Sequence, residues 1–138
     1  MEKRKVLIKE LIIILVLLVI IGVLIIFLLG KKPYTSSQMD DKLREMSSKF
    51  YTEYYYDDIS DNRSKKEVTD YLSSFKEKGL KVDLETLSDY DSENNDPVIA
   101  NFIKDGIECN KNETKAVIYP KSPYGKKDFE IETVIVCD

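Results

Sequence analysis

Leu11-Ile12-Ile13-Ile14-Leu15-Val16-Leu17-Leu18-Val19-Ile20-Ile21-Gly22-Val23-Leu24-Ile25-Ile26-Phe27-Leu28-Leu29 is a run of nineteen residues without a charge or a polar side chain. At 1.5 Å rise per residue, about 20 such residues cross the ~30 Å hydrocarbon core of a bilayer. A helix buried in a soluble core keeps a polar face, and this run is apolar all round. It reads as a transmembrane helix over residues 11–30, preceded by a charged stub over residues 1–10. Met1-Glu2-Lys3-Arg4-Lys5 is like the basic start of a secretory signal, but a signal's apolar region is about 7–15 residues long and ends at small residues. Here the run continues into Phe27-Leu28-Leu29-Gly30-Lys31-Lys32-Pro33 with no A-x-A site, and no cysteine near its end offers lipoprotein processing. The reading is a signal-anchor, retained in a single-pass membrane protein.

Orientation follows from the flanks. Lys3, Arg4, Lys5 and Lys9 precede the span and Lys31 and Lys32 follow it, so the positive-inside bias puts the N-terminus in the cytoplasm, with Lys42, Arg44 and Lys49 narrowing the contrast. The remainder is then extracytoplasmic. Residues 33–138 hold 15 Lys or Arg against 23 Asp or Glu, a net charge of −8. Binding to phosphate backbones relies on Lys and Arg displacing counterions, so this balance argues against nucleic acid as a partner. The expected partners are the lipid bilayer and another protein, the domain serving protein interaction or a structural role at the cell surface. Abundant Ile, Asn and Tyr with only three Arg read as the composition of a bacterial protein from an AT-rich genome.

Cys109 and Cys137 are the chain's two cysteines. An even pair confined to a small domain suits a disulfide made in an oxidising compartment; two buried free thiols are the alternative. A metal site is disfavoured, because the chain has no His and only these two Cys.

Past the span, Gly30, Pro33 and Thr35-Ser36-Ser37 break the helix, giving a linker over residues 31–37, with Ser37 and Asp40 spaced as a helix cap and a first-turn acid. Met39, Leu43, Met46, Phe50 and Tyr54 then fall at helical steps among charged residues, predicting an amphipathic helix that ends near Asp57. Ser64-Lys65-Lys66-Glu67 is a capping box for a second amphipathic helix, with Val68, Tyr71, Leu72 and Phe75 inward and Gly79 as a left-handed C-terminal cap. Leu80, Val82 and Leu84 alternate as a strand. Ser88 to Asn95 reads as an acidic loop. Residues 97–104 fit a short helix capped by Asp96, or a strand turning at Asp105-Gly106. Ile107 to Cys109, Lys115 to Tyr119 and Phe129 to Cys137 read as an antiparallel meander, the last strand turning Phe129, Ile131, Thr133, Ile135 and Cys137 to one face. The expected fold is α+β: a transmembrane helix, two amphipathic helices and a small antiparallel sheet of three to four strands with a disulfide, the domain spanning residues 38–138.

Chemistry is sparse. Without His, the Ser-His-Asp and Cys-His arrangements are excluded, and a small acidic domain offers no cleft for a carboxylate pair to work in. Asp89 to Asp96 has oxygen ligands at alternate positions, as calcium loops do, but Asn94 and Ala100 stand where such loops have Gly and Glu. No catalytic, metal or cofactor residue is therefore assigned, and the chain is not read as an enzyme. Tyr51, Tyr54, Tyr55 and Tyr56 crowd one helix end, and because successive helical residues point about 100° apart they cannot share one core. Tyr51, Tyr55 and Tyr56 are the interface candidates, since Tyr is enriched at binding hot spots; a mixture of core and surface aromatics is the alternative.

Val6-Leu7-Ile8-Lys9-Glu10-Leu11 followed by the apolar helix resembles the start of a mature type IV pilin, whose Glu precedes a membrane helix that forms the fibre core. The resemblance implies that Glu10 matches that family's Glu, that Cys109 and Cys137 match its C-terminal bridge, and that the chain assembles through its first helix. Lys5 stands where the prepilin peptidase expects Gly, and Gly30 to Ser37 interrupt what is one long helix in that family. The remainder looks like membrane-anchored proteins of low-GC, Gram-positive-type bacteria.

Overall fold

The structure is a computed structural model describing residues 2–29 and 32–138. It falls into two compact units, Met1–Lys32 and Pro33–Asp138, described here separately. The first is a single helix, α1 (Glu2–Leu29), of 28 residues. It takes in the charged stub as well as the apolar run, because no helix breaker stands between Glu2 and Leu11. It is long and apolar enough to cross a membrane, as a membrane anchor or a signal sequence would be. Gly30 and Lys31, assigned to the break and its linker, lie outside the described residues.

The second unit is α+β. Its first helix, α2 (Ser36–Phe50), is capped by Thr35, not Ser37: the Thr35 hydroxyl accepts from the Gln38 N–H at 3.2 Å, and the Thr35 N–H donates to Gln38 Oε1 at 3.0 Å. Thr35 wins because Gln38 stands three residues on and closes the box, a reciprocity that Asp40 does not supply to Ser37. The helical path does not stop near Asp57. It passes through a π-helical turn, Tyr51–Tyr55, where the Tyr56 N–H reaches back five residues to the Tyr51 carbonyl, and continues as α3 (Tyr56–Ser60).

α4 (Lys65–Ser73) carries the expected capping box of Ser64 and Glu67 and buries Val68 and Leu72. The chain then turns to Gly79, which takes φ +69°. A Cβ there would lie 2.3 Å from Val117 Cγ1, so glycine is required by both backbone and space.

β1 (Leu80–Asp83) is shorter than the alternation implied, because Leu84 opens a helix. Asp83 caps α5 (Leu84–Tyr90), accepting from the Thr86 N–H at 2.8 Å. The stretch Ser88–Asn95, expected as an acidic loop, is helical: it completes α5 and begins α6 (Ser92–Ile99). Asn95 explains how so polar a segment packs, since its buried side chain donates to the Leu87 carbonyl at 2.6 Å. Asp96 and Pro97 lie inside α6 rather than at its start; with no N–H, Pro97 leaves the Glu93 carbonyl without its helical donor.

Residues 97–104 divide between the two readings, with helix to Ile99 and a strand, β2 (Ile103–Lys104), paired with β3 (Ile107–Glu108). Asp105 and Gly106 both take positive φ, +52° and +81°, as a tight two-residue hairpin turn demands. This hairpin forms its own two-stranded sheet and does not join a meander. The main sheet has the order β1-β4-β5, with β4 (Lys115–Pro120) between antiparallel neighbours β1 and β5 (Phe129–Val134). Leu80 pairs with Ile118 and Ile118 with Ile131, placing apolar side chains of all three strands on one face.

Along β5, Phe129, Ile131 and Thr133 are half-buried while Glu130, Glu132 and Val134 face solvent, as the alternation required. α2 packs against β4, β5 and α5, so its buried surface is wide: Met39, Leu43, Met46, Ser47 and Phe50, with Tyr51 of the π turn buried next to it. Cys109 and Cys137 form a disulfide that ties the segment after β3 to the chain beyond β5.

Candidate functional site

The aromatic residues around the π-helical turn are the most distinctive surface of the second unit. Each goes a different way. Tyr51, expected at an interface, is fully buried: it follows Phe50 on the broad inner surface of α2, and its ring meets Phe129 at 4.8 Å and stacks on Tyr55 at 5.9 Å. Desolvation pushes its hydroxyl up to about 12, and that hydroxyl has no hydrogen-bond partner among the described residues.

Tyr55 is half-buried, and its hydroxyl is bonded to that of Tyr71 at 3.0 Å. Burial, then that hydrogen bond, raises the Tyr55 pKa above the usual phenol range. Tyr56 is half-buried as well, and its hydroxyl donates to the Tyr124 carbonyl at 3.5 Å. All three interface candidates thus have inward commitments, complete for Tyr51 and partial for the other two.

The residue that faces outward is Tyr54, 50% exposed. Sequence periodicity put it on the inward stripe, and its ring does pack on Phe50 at 5.5 Å. It stands at the rim, however, where Tyr90 from the end of α5 adjoins it at 5.5 Å. Tyr90 meets Phe50 edge-on at 5.2 Å. Three rings therefore lie mutually within 5.2–5.5 Å and line an open notch with Thr86 and Asp89. Burial against these neighbours raises the Tyr90 pKa, with the Glu53 charge adding to it.

The charges around the notch are unevenly spent. Lys49 is bonded to Asp91 at 3.1 Å, and Asp91 also accepts from the Asn94 amide at 2.9 Å. These bonds, Asn94's first, hold the Asp91 pKa down, and Asp91 in turn raises that of Lys49. Glu53, Glu85 and Asp89 have no ion-pair partner among the described residues. The acidic segment weighed as a calcium loop is accordingly two helices, with Asp91 bonded to Lys49 and Asn94 and with Asp96 accepting from Ser88. No group of three or more His, Cys, Asp or Glu placed to hold a metal occurs among the described residues.

Elsewhere, a cavity of about 240 Å³ lies beside the disulfide, lined by Asp96, Ile99, Phe102, Glu108, Cys109 and Lys111. A smaller one of about 110 Å³ is lined by Phe50, Tyr55, Lys81, Val82 and Ile118, among others. Comparison with family profiles, with curated proteins and with solved structures finds no match to this chain.

Proposed function

We propose that the chain is a single-pass membrane protein, anchored by an uncleaved α1 with its N-terminus in the cytoplasm, whose extracytoplasmic α+β domain binds another protein at the cell surface. One observation carries the anchoring: α1 continues for 28 residues and is apolar around its whole circumference from Leu11 to Leu29, which suits a hydrocarbon solvent. The Cys109–Cys137 bridge supports the sidedness, since such bonds persist in oxidising compartments. The exposed Tyr54 face supports a binding role, which needs no catalytic group, cofactor or nucleic acid. Here Tyr54 replaces Tyr51 as the interface residue, alongside the half-buried Tyr55 and Tyr56.

Sidedness and bridge are tested together by a membrane-impermeant thiol reagent applied to intact bacteria expressing the chain. Cys109 and Cys137 should label only after mild reduction. Labelling without reduction removes the bridge, and labelling only after lysis puts the domain in the cytoplasm.

A pilin-like subunit is the second reading, supported by Glu10 ahead of the apolar run and by a C-terminal bridge closing a helix-then-sheet domain. Polymers, or processing next to Lys5, would favour it over a monomeric anchored protein.

A further inference from the structure

Where the Tyr54 face meets its partner, the hydroxyls that the fold leaves free show what chemistry it fits. Tyr55 and Tyr71 bond each other, Tyr56 donates to Tyr124, and the Tyr119 hydroxyl donates to Glu132 at 3.2 Å. The hydroxyls of Tyr54, Tyr90 and Thr86, and the Asp89 carboxylate, have no such partner among the described residues, and all four residues line the same notch. Glu85 stands one helical turn from Asp89 on α5, and Glu53 adjoins Tyr54 on the π turn. The notch therefore combines three clustered rings, free hydroxyls and one lining carboxylate, Asp89, that has no ion-pair partner among the described residues. Aromatic ring faces carry negative potential and attract ammonium and guanidinium groups, and an adjacent carboxylate strengthens that attraction.

We propose that the Phe50–Tyr54–Tyr90 notch, with Asp89 at its edge, receives a lysine or arginine side chain of the partner protein. The proposal rests on the protein-binding reading above and names the partner's chemistry. Net charge works against the nearest competitors: residues 33–138 carry a net −8, which disfavours a second copy of the domain and anionic lipid headgroups as occupants.

The test uses the full chain in nanodiscs of neutral phosphatidylcholine. Acetyl-Gly-Lys-Gly-Lys-Gly-amide and its norleucine counterpart are titrated against it, with tyrosine fluorescence and backbone amide shifts as readouts. The lysine peptide should bind, weaken as salt rises, and shift Tyr54, Thr86 and Tyr90. The norleucine peptide should not bind. Tyr54→Leu and Asp89→Asn should each weaken binding about fivefold, while Tyr54→Phe retains it. Both positions are on the surface, so an unchanged melting curve separates lost binding from lost folding.

Equal binding of the two peptides, or of neither, overturns the proposal. A photo-crosslinker at position 54 in cells tests the underlying reading without reference to charge. A crosslinked partner together with peptides that fail sinks only the cationic inference, whereas no crosslinked partner sinks the binding role and the inference with it.

Discussion

Single residues show where the fold spends its constraints. Tyr51 is fully buried with its hydroxyl unbonded, a group that costs free energy unless satisfied. Tyr51→Phe should therefore be neutral or stabilise the chain by up to about 1–2 kcal/mol, read from the near-ultraviolet melt of the detergent-solubilised protein. The same residue sets an alkaline limit. Its folded pKa, about 12, lies above the unfolded value near 10, so its contribution is complete below pH ~10 and is lost as pH rises toward 12. Tyr55, also raised, acts in the same direction. Stability should fall over that window, and Tyr51→Phe should lessen the fall; a curve unchanged by the substitution would place that tyrosine in water. Gly79→Ala meets two obstacles, a positive φ and a Cβ 2.3 Å from Val117. A loss of about 2–4 kcal/mol is expected.

At the scale of elements, capping chemistry set the boundaries that periodicity alone blurred. Ser64 and Glu67 were legible as a box because polar residues surround them. Thr35 and Gln38 formed the same box but were overshadowed by Ser37 and Asp40, and Thr35→Ala should cost about 1 kcal/mol, with Ser37→Ala costing far less. Asp83 was missed for a different reason: Leu80, Val82 and Leu84 alternate perfectly, so a strand reading ran through the cap. The helices of residues 84–99 were hidden by their polarity, since Asn95 fills an inward position through a hydrogen bond to Leu87 rather than by hydrophobicity. The π turn has no sequence signature, yet it decides the burial of α3. Tyr51 and Ile59 are eight residues apart, about 80° out of phase at 100° each; a turn holding one extra residue reduces this to roughly 20°. Both are buried.

For the molecule as a whole, what could be read in advance was what rests on composition and covalent pairing: the apolar run, the α+β class, the alternation of β5 and the Cys109–Cys137 pair. The order β1-β4-β5, the separate β2–β3 hairpin and the exposure of Tyr54 depend on which element covers which, a property no local pattern encodes. The bridge closes a separation of 28 residues, so Cys109→Ser with Cys137→Ser should lower stability by roughly 3–4 kcal/mol in the chain-entropy model, detectable as an earlier melt that reductant no longer shifts. The claim beneath the functional account is that hydrocarbon is the solvent of α1. Its most direct test is alkaline carbonate extraction of membranes from cells making the full chain. Anchoring predicts that the intact polypeptide stays in the high-speed pellet and leaves only with detergent; its recovery, unprocessed, in the carbonate supernatant would contradict the account.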